Sequence, residues 1–185
     1  MFFDEFAVYD RPSVFYGWAE RNTRPQVPSD EKVRHRLNGF LCVDALSGEE
    51  FLRLSAEAKS EDVSLYLAEL CLDCIELGIK KLTIVLDNNP THKQRMRSQL
   101  SEHLVQMGVV DEIELEFIDV PPYSPKLNLV EYVIHLLRLR FLHHLPLGTT
   151  LLQIKQQLEQ WLQNRQFLSA GQVQKTLNFI FKSVA

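Results

Sequence analysis

Apolar positions along this chain recur with two periods, one near four and one near two, and the switches between them mark out the elements. In residues 61–77, Val63, Leu67, Leu70, Cys71 and Cys74 share one helical face, and Gly78 stands where such a helix closes. Leu82 to Leu86 is a short, nearly continuous apolar run with β-branched members, which predicts a strand over 81–86 buried on both faces, as in a parallel sheet. Asn89 as cap and Pro90 at the first helical position open a helix over 90–107 that buries Met96, Leu100, Leu104 and Met107 and ends at Gly108. Ile113, Leu115 and Phe117 then alternate with Glu112, Glu114 and Glu116, which predicts a strand over 113–118 with one solvated face. Strand, helix and strand compose a βαβ unit, and such units are parallel and right-handed.

The flanking stretches follow the same logic. Residues 1–9 and 14–20 read as strands, and residues 23–32, with Pro25 and Pro28, as a loop. Residues 35–45 read as a further strand that turns at Ser47-Gly48 into a short one at 51–54, forming a hairpin. Past a proline-rich loop, helices are expected over 128–143, 150–166 and 170–182.

That loop, Pro121-Pro122-Tyr123-Ser124-Pro125, matters because of what it presents. Its prolines exclude helix before Lys126, so Asn128 becomes the N-cap and Glu131 falls on the first turn. Glu131 could close a capping box onto the Asn128 amide, or it could be a metal ligand or general base. Asp87 sits where strand 81–86 ends, at the carboxyl end where open α/β sheets collect ligands, although an Asp there also suits a plain turn. Two placed carboxylates in one small domain make a metal site worth proposing.

Composition narrows the classes. At 185 residues the chain suits one domain with a real core, and no apolar run approaches the about 20 residues of a membrane span. No basic-then-apolar leader is expected. Three cysteines, an odd number, argue for a reducing compartment. Cys71 and Cys74 lie mid-helix with no second pair, short of the four ligands of a structural zinc site. A net charge of −4 argues against strong autonomous nucleic-acid binding, which rests mostly on phosphate neutralisation.

The strings Ile84-Val85-Leu86-Asp87-Asn88-Asn89-Pro90-Thr91-His92 and Tyr123-Ser124-Pro125-Lys126-Leu127-Asn128-Leu129-Val130-Glu131 resemble the second and third acidic motifs of DDE transposases of bacterial insertion sequences, in the mariner-like superfamily. Phe2-Phe3-Asp4-Glu5, followed by Trp18-Ala19-Glu20-Arg21, resembles the first. The Tyr-Ser-Pro-x-Leu-Asn-x-Val-Glu string is the specific part. Leu129 replaces the family's usual Pro, Ile134 a common Trp, and the Asp87–Glu131 spacing is longer than usual.

The resemblance implies an α/β, ribonuclease H-like fold with a mixed central sheet flanked by helices. It implies Asp4, Asp87 and Glu131 as catalytic metal ligands for Mg²⁺ or Mn²⁺, as two ions, with Asn88 and Asn128 supporting the carboxylates. His92, Lys93, Arg97 and Lys126 are candidate phosphate contacts, or simply a solvated basic face. The implied activity is cleavage and strand transfer at insertion-sequence ends, with terminal-repeat and target DNA as partners, a homodimer as the working form, no membrane, and the bacterial cytoplasm as the setting. One catalytic domain over 1–185 is expected, without the family's N-terminal helix-turn-helix region. Two alternatives stand beside this reading: an inactive remnant serving as a DNA- or protein-interaction module, and a ribonuclease H-like nuclease of another kind, such as a resolvase.

Overall fold

The computed structural model describes residues 1–10, 18–23, 35–122, 124–163 and 166–182. Five strands form one sheet: β1 (Phe2–Tyr9), β2 (Arg36–Val43), β3 (Glu50–Ser55), β4 (Lys81–Leu86) and β5 (Glu114–Asp119), in the order β3-β2-β1-β4-β5. β1, β2 and β3 are antiparallel neighbours, with Asp4 opposite Leu41 and Leu41 opposite Leu52. β4 runs parallel to both β1 and β5, so the sheet is mixed. The β2–β3 hairpin and both strands of the expected βαβ unit lie within one or two residues of where the apolar pattern puts them.

Alternation along each strand sends side chains to two separate cores. Phe3, Phe40, Cys42, Leu82, Ile84 and Leu86 face α1 (Ser60–Glu76) and α2 (Gln94–Gln106). Phe2, Phe6, Val8, Leu41 and Val43 face α3 (Leu129–Leu137), α4 (Leu151–Leu162) and α5 (Ala170–Lys182). β4 serves both: Ile84 is fully buried on the first side while Val85 packs against the second. The hairpin turn is closed by Gly48, whose φ of +79° and whose approach to the Leu168 carbonyl leave no room for a Cβ.

Several expectations need correction. Residues 14–17 of the expected second strand lie outside the described residues, while 18–20 are not strand and Trp18 is fully exposed. The helix expected over 90–107 is broken: Pro90–His92 make one 3₁₀ turn, Lys93 is extended, and α2 begins at Gln94. His92, carried on that 3₁₀ turn four residues before Met96, is buried, as described below. Met107 sits past the last helical turn and is 37% exposed, not buried. The helix expected over 128–143 narrows to α3 and then widens into a π turn over Arg138–Leu142, closed by the His143 amide on the Arg138 carbonyl at 2.9 Å. α4 ends at Leu162, short of 166. Among the described residues no helix is long and apolar enough to cross a membrane.

Candidate active site

At the end of the sheet where β4 gives out, a cleft of about 550 Å³ is lined by Asp4, Asp87 and Glu131 together with Asn88, Asn128 and the prolines of the 121–125 loop. Three unconnected elements deliver the three carboxylates. Asp4 comes from β1, Asp87 from the first residue past β4, and Glu131 from the first turn of α3.

Asp4 is the most constrained of them. One carboxylate oxygen accepts the Glu5 amide at 2.8 Å and the other accepts Nδ2 of Asn128 at 3.0 Å. Burial pushes its pKa up to about 7, and the Glu131 and Asp87 carboxylates push the same way, while the Glu5 amide and His92 pull it back. Asn128 is buried and fully used. It caps α3 by accepting the Val130 amide at 3.2 Å, and its Nδ2 donates to the Phe3 carbonyl as well as to Asp4. The Asn128 amide itself donates to the Pro125 carbonyl at 3.0 Å, so the capping box that would occupy Glu131 does not form. The Glu131 side chain is left to the cleft.

Asp87 is half exposed, and its Oδ1 takes two bonds, from the Asn89 amide at 3.0 Å and from Nδ1 of His92 at 2.7 Å. The His92 bond is the chief reason the Asp87 carboxyl sits below its ordinary range. The far side of the His92 ring, Nε2, stands 3.4 Å from Oε2 of Glu5, too loose for a closed hydrogen bond but close enough for a charge contact. Burial alone would lower the imidazole; the Asp87 and Glu5 carboxylates overcome it and hold its pKa at about 9.

This revises the candidate phosphate contacts. His92 is fully buried, edge-on to Phe3, and cannot reach a ligand in solvent. Lys93 donates to Oδ1 of Asn88 at 2.7 Å, and Nδ2 of Asn88 donates to the Val120 carbonyl, so Asn88 ties the β4 turn to the end of β5 and does not touch a carboxylate. Arg97 pairs with Asp119 at 2.9 Å and lies over the Phe117 ring. Lys126 is exposed on the 3₁₀ turn Pro125–Leu127, next to Pro125, which lines the cleft. Tyr123 lies outside the described residues.

Glu5 and Asn89 are the residues the motifs did not single out. Glu5 is next to Asp4 but on the opposite face of β1, where Phe3 already marks a buried side; an acid on an inward-facing position was the available signal.

The donor set is all carboxylate oxygen, which suits hard divalent cations, and a cation in the cleft would relieve the mutual repulsion that Asp4 registers. Among the described residues, no three acidic, histidine or cysteine side chains stand close enough to share one ion as they are. An ion shared by all three carboxylates would require them to draw closer, whereas one or two of them with water suffice for Mg²⁺.

A mixed five-stranded sheet with helices on both faces and an acidic cleft at its end defines a ribonuclease H-like fold. The chain belongs to the DDE superfamily endonucleases, whose family profile matches residues 1–149. In fold it is similar to the catalytic domain of Mos1 mariner transposase (TM-score 0.55, 13% identity, covering 98% of this chain and 76% of that one). It is also similar to the Mos1 strand transfer complex (TM-score 0.67, 12% identity, 98% and 51%) and to the Mos1 paired-end complex with Mg (0.65, 15% identity, 99% and 53%). The chain thus spans about half the length of the transposase chains in those complexes. No curated protein matches the sequence.

Proposed function

We propose that this chain is a transposase catalytic domain that cuts DNA strands and joins the freed 3′ ends to target DNA, using divalent ions held by Asp4, Asp87 and Glu131. The observation that carries this reading is the convergence of those three carboxylates, from three separate elements, on one cleft. Mg²⁺ or Mn²⁺ bound there, as a pair of ions, would supply charge stabilisation on phosphate oxygens and activation of a water. The chain's own part is orientation. Asn128 and the Glu5 amide fix Asp4, while His92 and the Asn89 amide fix one oxygen of Asp87. The Glu131 side chain, with no hydrogen bond among the described residues, can swing to complete the set. The proline loop walls the cleft, and Lys126 and Lys93, exposed next in sequence to its lining residues or hydrogen-bonded to one, are the cations offered to DNA phosphates. One of the similar Mos1 structures is a paired-end complex; by that likeness two copies of this chain would hold two DNA ends.

The test is a calorimetric Mn²⁺ titration of the parent and Asp87→Ala, followed by nicking of a labelled duplex. The parent is expected to bind and nick, and the variant to lose binding and at least ~10³-fold in nicking rate. Binding and nicking retained in Asp87→Ala would sink the assignment. A second reading, an interaction module without chemistry, draws on the separation of the three carboxylates. It expects DNA association with no Mn²⁺ uptake and no nicking.

A further inference from the structure

We infer that His92 and Glu5 are positioning residues: a buried strut that sets which oxygen of Asp87 faces the cleft, and thereby how tightly the cleft holds a divalent ion. Their role rests on the metal reading of the cleft given above.

The geometry is specific. Both bonds to Asp87, from His92 Nδ1 at 2.7 Å and from the Asn89 amide at 3.0 Å, land on Oδ1. Oδ2, without a hydrogen bond among the described residues, is the oxygen left for a ligand. The strut has two ends. His92 Nε2 meets Oε2 of Glu5, and the same oxygen lies 3.4 Å from Nδ2 of Asn89. The Asn89 side-chain oxygen in turn accepts the Thr91 amide at 3.1 Å, which holds the 3₁₀ turn that carries His92. A ring thus runs from β1 through Glu5, His92 and Asp87 to β4, closed by the sheet pairing of the two strands.

Its placement separates it from the remaining machinery. Asp4 lies on the α3 face of β1 and Glu5 on the α2 face, so the strut approaches Asp87 from beneath the sheet while Asn128 supports Asp4 from above. Burial argues that it is more than packing. His92 is fully buried and the Glu5 side chain is 15% exposed, with Oε1 buried and unpartnered. A buried carboxylate is costly without a partner, and His92 is the only cationic-capable side chain paired with it among the described residues. A phenylalanine would fill the same ring-shaped space against Phe3 with less penalty, so filling space does not explain an imidazole here.

Partners that orient metal ligands typically change metal affinity ten- to a hundredfold when removed. Mn²⁺ titration of the whole chain, with thermal unfolding of each variant recorded alongside, decides the matter. His92→Phe keeps a ring edge-on to Phe3 but removes the Asp87 hydrogen bond and the Glu5 charge contact; it is expected to weaken Mn²⁺ binding by tenfold or more. His92→Asn places a donor at the Nδ1 position and is expected to recover most of that loss. His92→Gln reaches only toward Glu5 and should bind no better than His92→Phe. Glu5→Gln should weaken binding by a smaller factor, about two- to fivefold.

Binding by His92→Phe within twofold of the parent overturns the strut while leaving the metal site standing. A parent that binds no Mn²⁺ overturns the metal reading and the strut with it. Should His92→Phe fail to fold, the Asn and Gln variants carry the decision: Gln equal to or better than Asn refutes the role.

Discussion

At the residue scale, Asn128 shows how one side chain can serve backbone and site together. It caps α3, satisfies the Phe3 carbonyl and holds Asp4, all while buried. Asn128→Ala removes a cap and leaves a buried carbonyl and a carboxylate oxygen without a donor. The expected loss is about 2–3 kcal/mol, read as a lower urea midpoint at unchanged slope. Asn128→Asp separates the roles, because it keeps the capping oxygen but offers no donor and sets a second charge beside Asp4. It should also destabilise the fold; a parent-like midpoint would mean that capping is all Asn128 does. The sequence gives away the cap, since Asn before an apolar helical run after a proline loop is a helix-start signal. It does not show the donor side of the same amide, because Phe3 and Asp4 lie 124 or more positions away and come near only when α3 packs onto β1. His92 was legible in position though not in role: it stands four residues before Met96, on the stripe that Leu100 and Leu104 continue, while its bond to Asp87 depends on the 3₁₀ turn that carries it.

At the element scale, the β2–β3 hairpin is locked to the segment that precedes α5. Glu50, at the start of β3, accepts the Phe167 amide at 2.7 Å, while Gln166 donates to the Ser47 carbonyl. Burial drives the Glu50 pKa up to about 7, against the pull of the Phe167 and Leu168 amides. A carboxyl whose folded pKa is raised binds its proton more tightly in the native state. Its contribution is fully present below the usual glutamate value of 4.5 and is lost as pH rises through about 7. Glu50→Gln keeps an acceptor for Phe167 and never ionises. Its stability relative to the parent should therefore be flat below pH 4.5 and climb by ~1–3 kcal/mol by pH 8, measured by urea denaturation across that range. A gap independent of pH would show that Glu50 ionises freely in the folded state. Elements were the most legible part of this chain. The strand over 81–86 and the helix over 170–182 lie where the apolar period puts them, because each is long, strongly patterned and bounded by turn residues. The breaks at Lys93 and Arg138 were not legible, because each interrupts an apolar period that runs on without a Gly or a second Pro to mark it.

At the scale of the whole molecule, the fold makes a charge problem and the cleft offers its solution. The chain carries a net charge of −4, and of the basic side chains that follow Asp87, Arg97 is already paired with Asp119. Three carboxylates at the cleft repel phosphate further. If DNA is the substrate, divalent ions must supply what the side chains do not, both by removing that repulsion and by bridging to phosphate oxygens. Two measurements of duplex association by fluorescence anisotropy follow from this. Without divalent ions, log affinity against log salt should have a slope of magnitude no more than ~3, since each neutralised phosphate contributes about 0.9. With Ca²⁺, a hard oxygen-seeking stand-in for the catalytic ion, affinity should rise at constant ionic strength, and Asp87→Ala should abolish the rise. A metal-free slope of magnitude ~6 or more would mean that a basic surface away from this cleft carries the DNA. A calcium effect preserved in Asp87→Ala would mean that the ion acts as a diffuse counterion and not at the carboxylates.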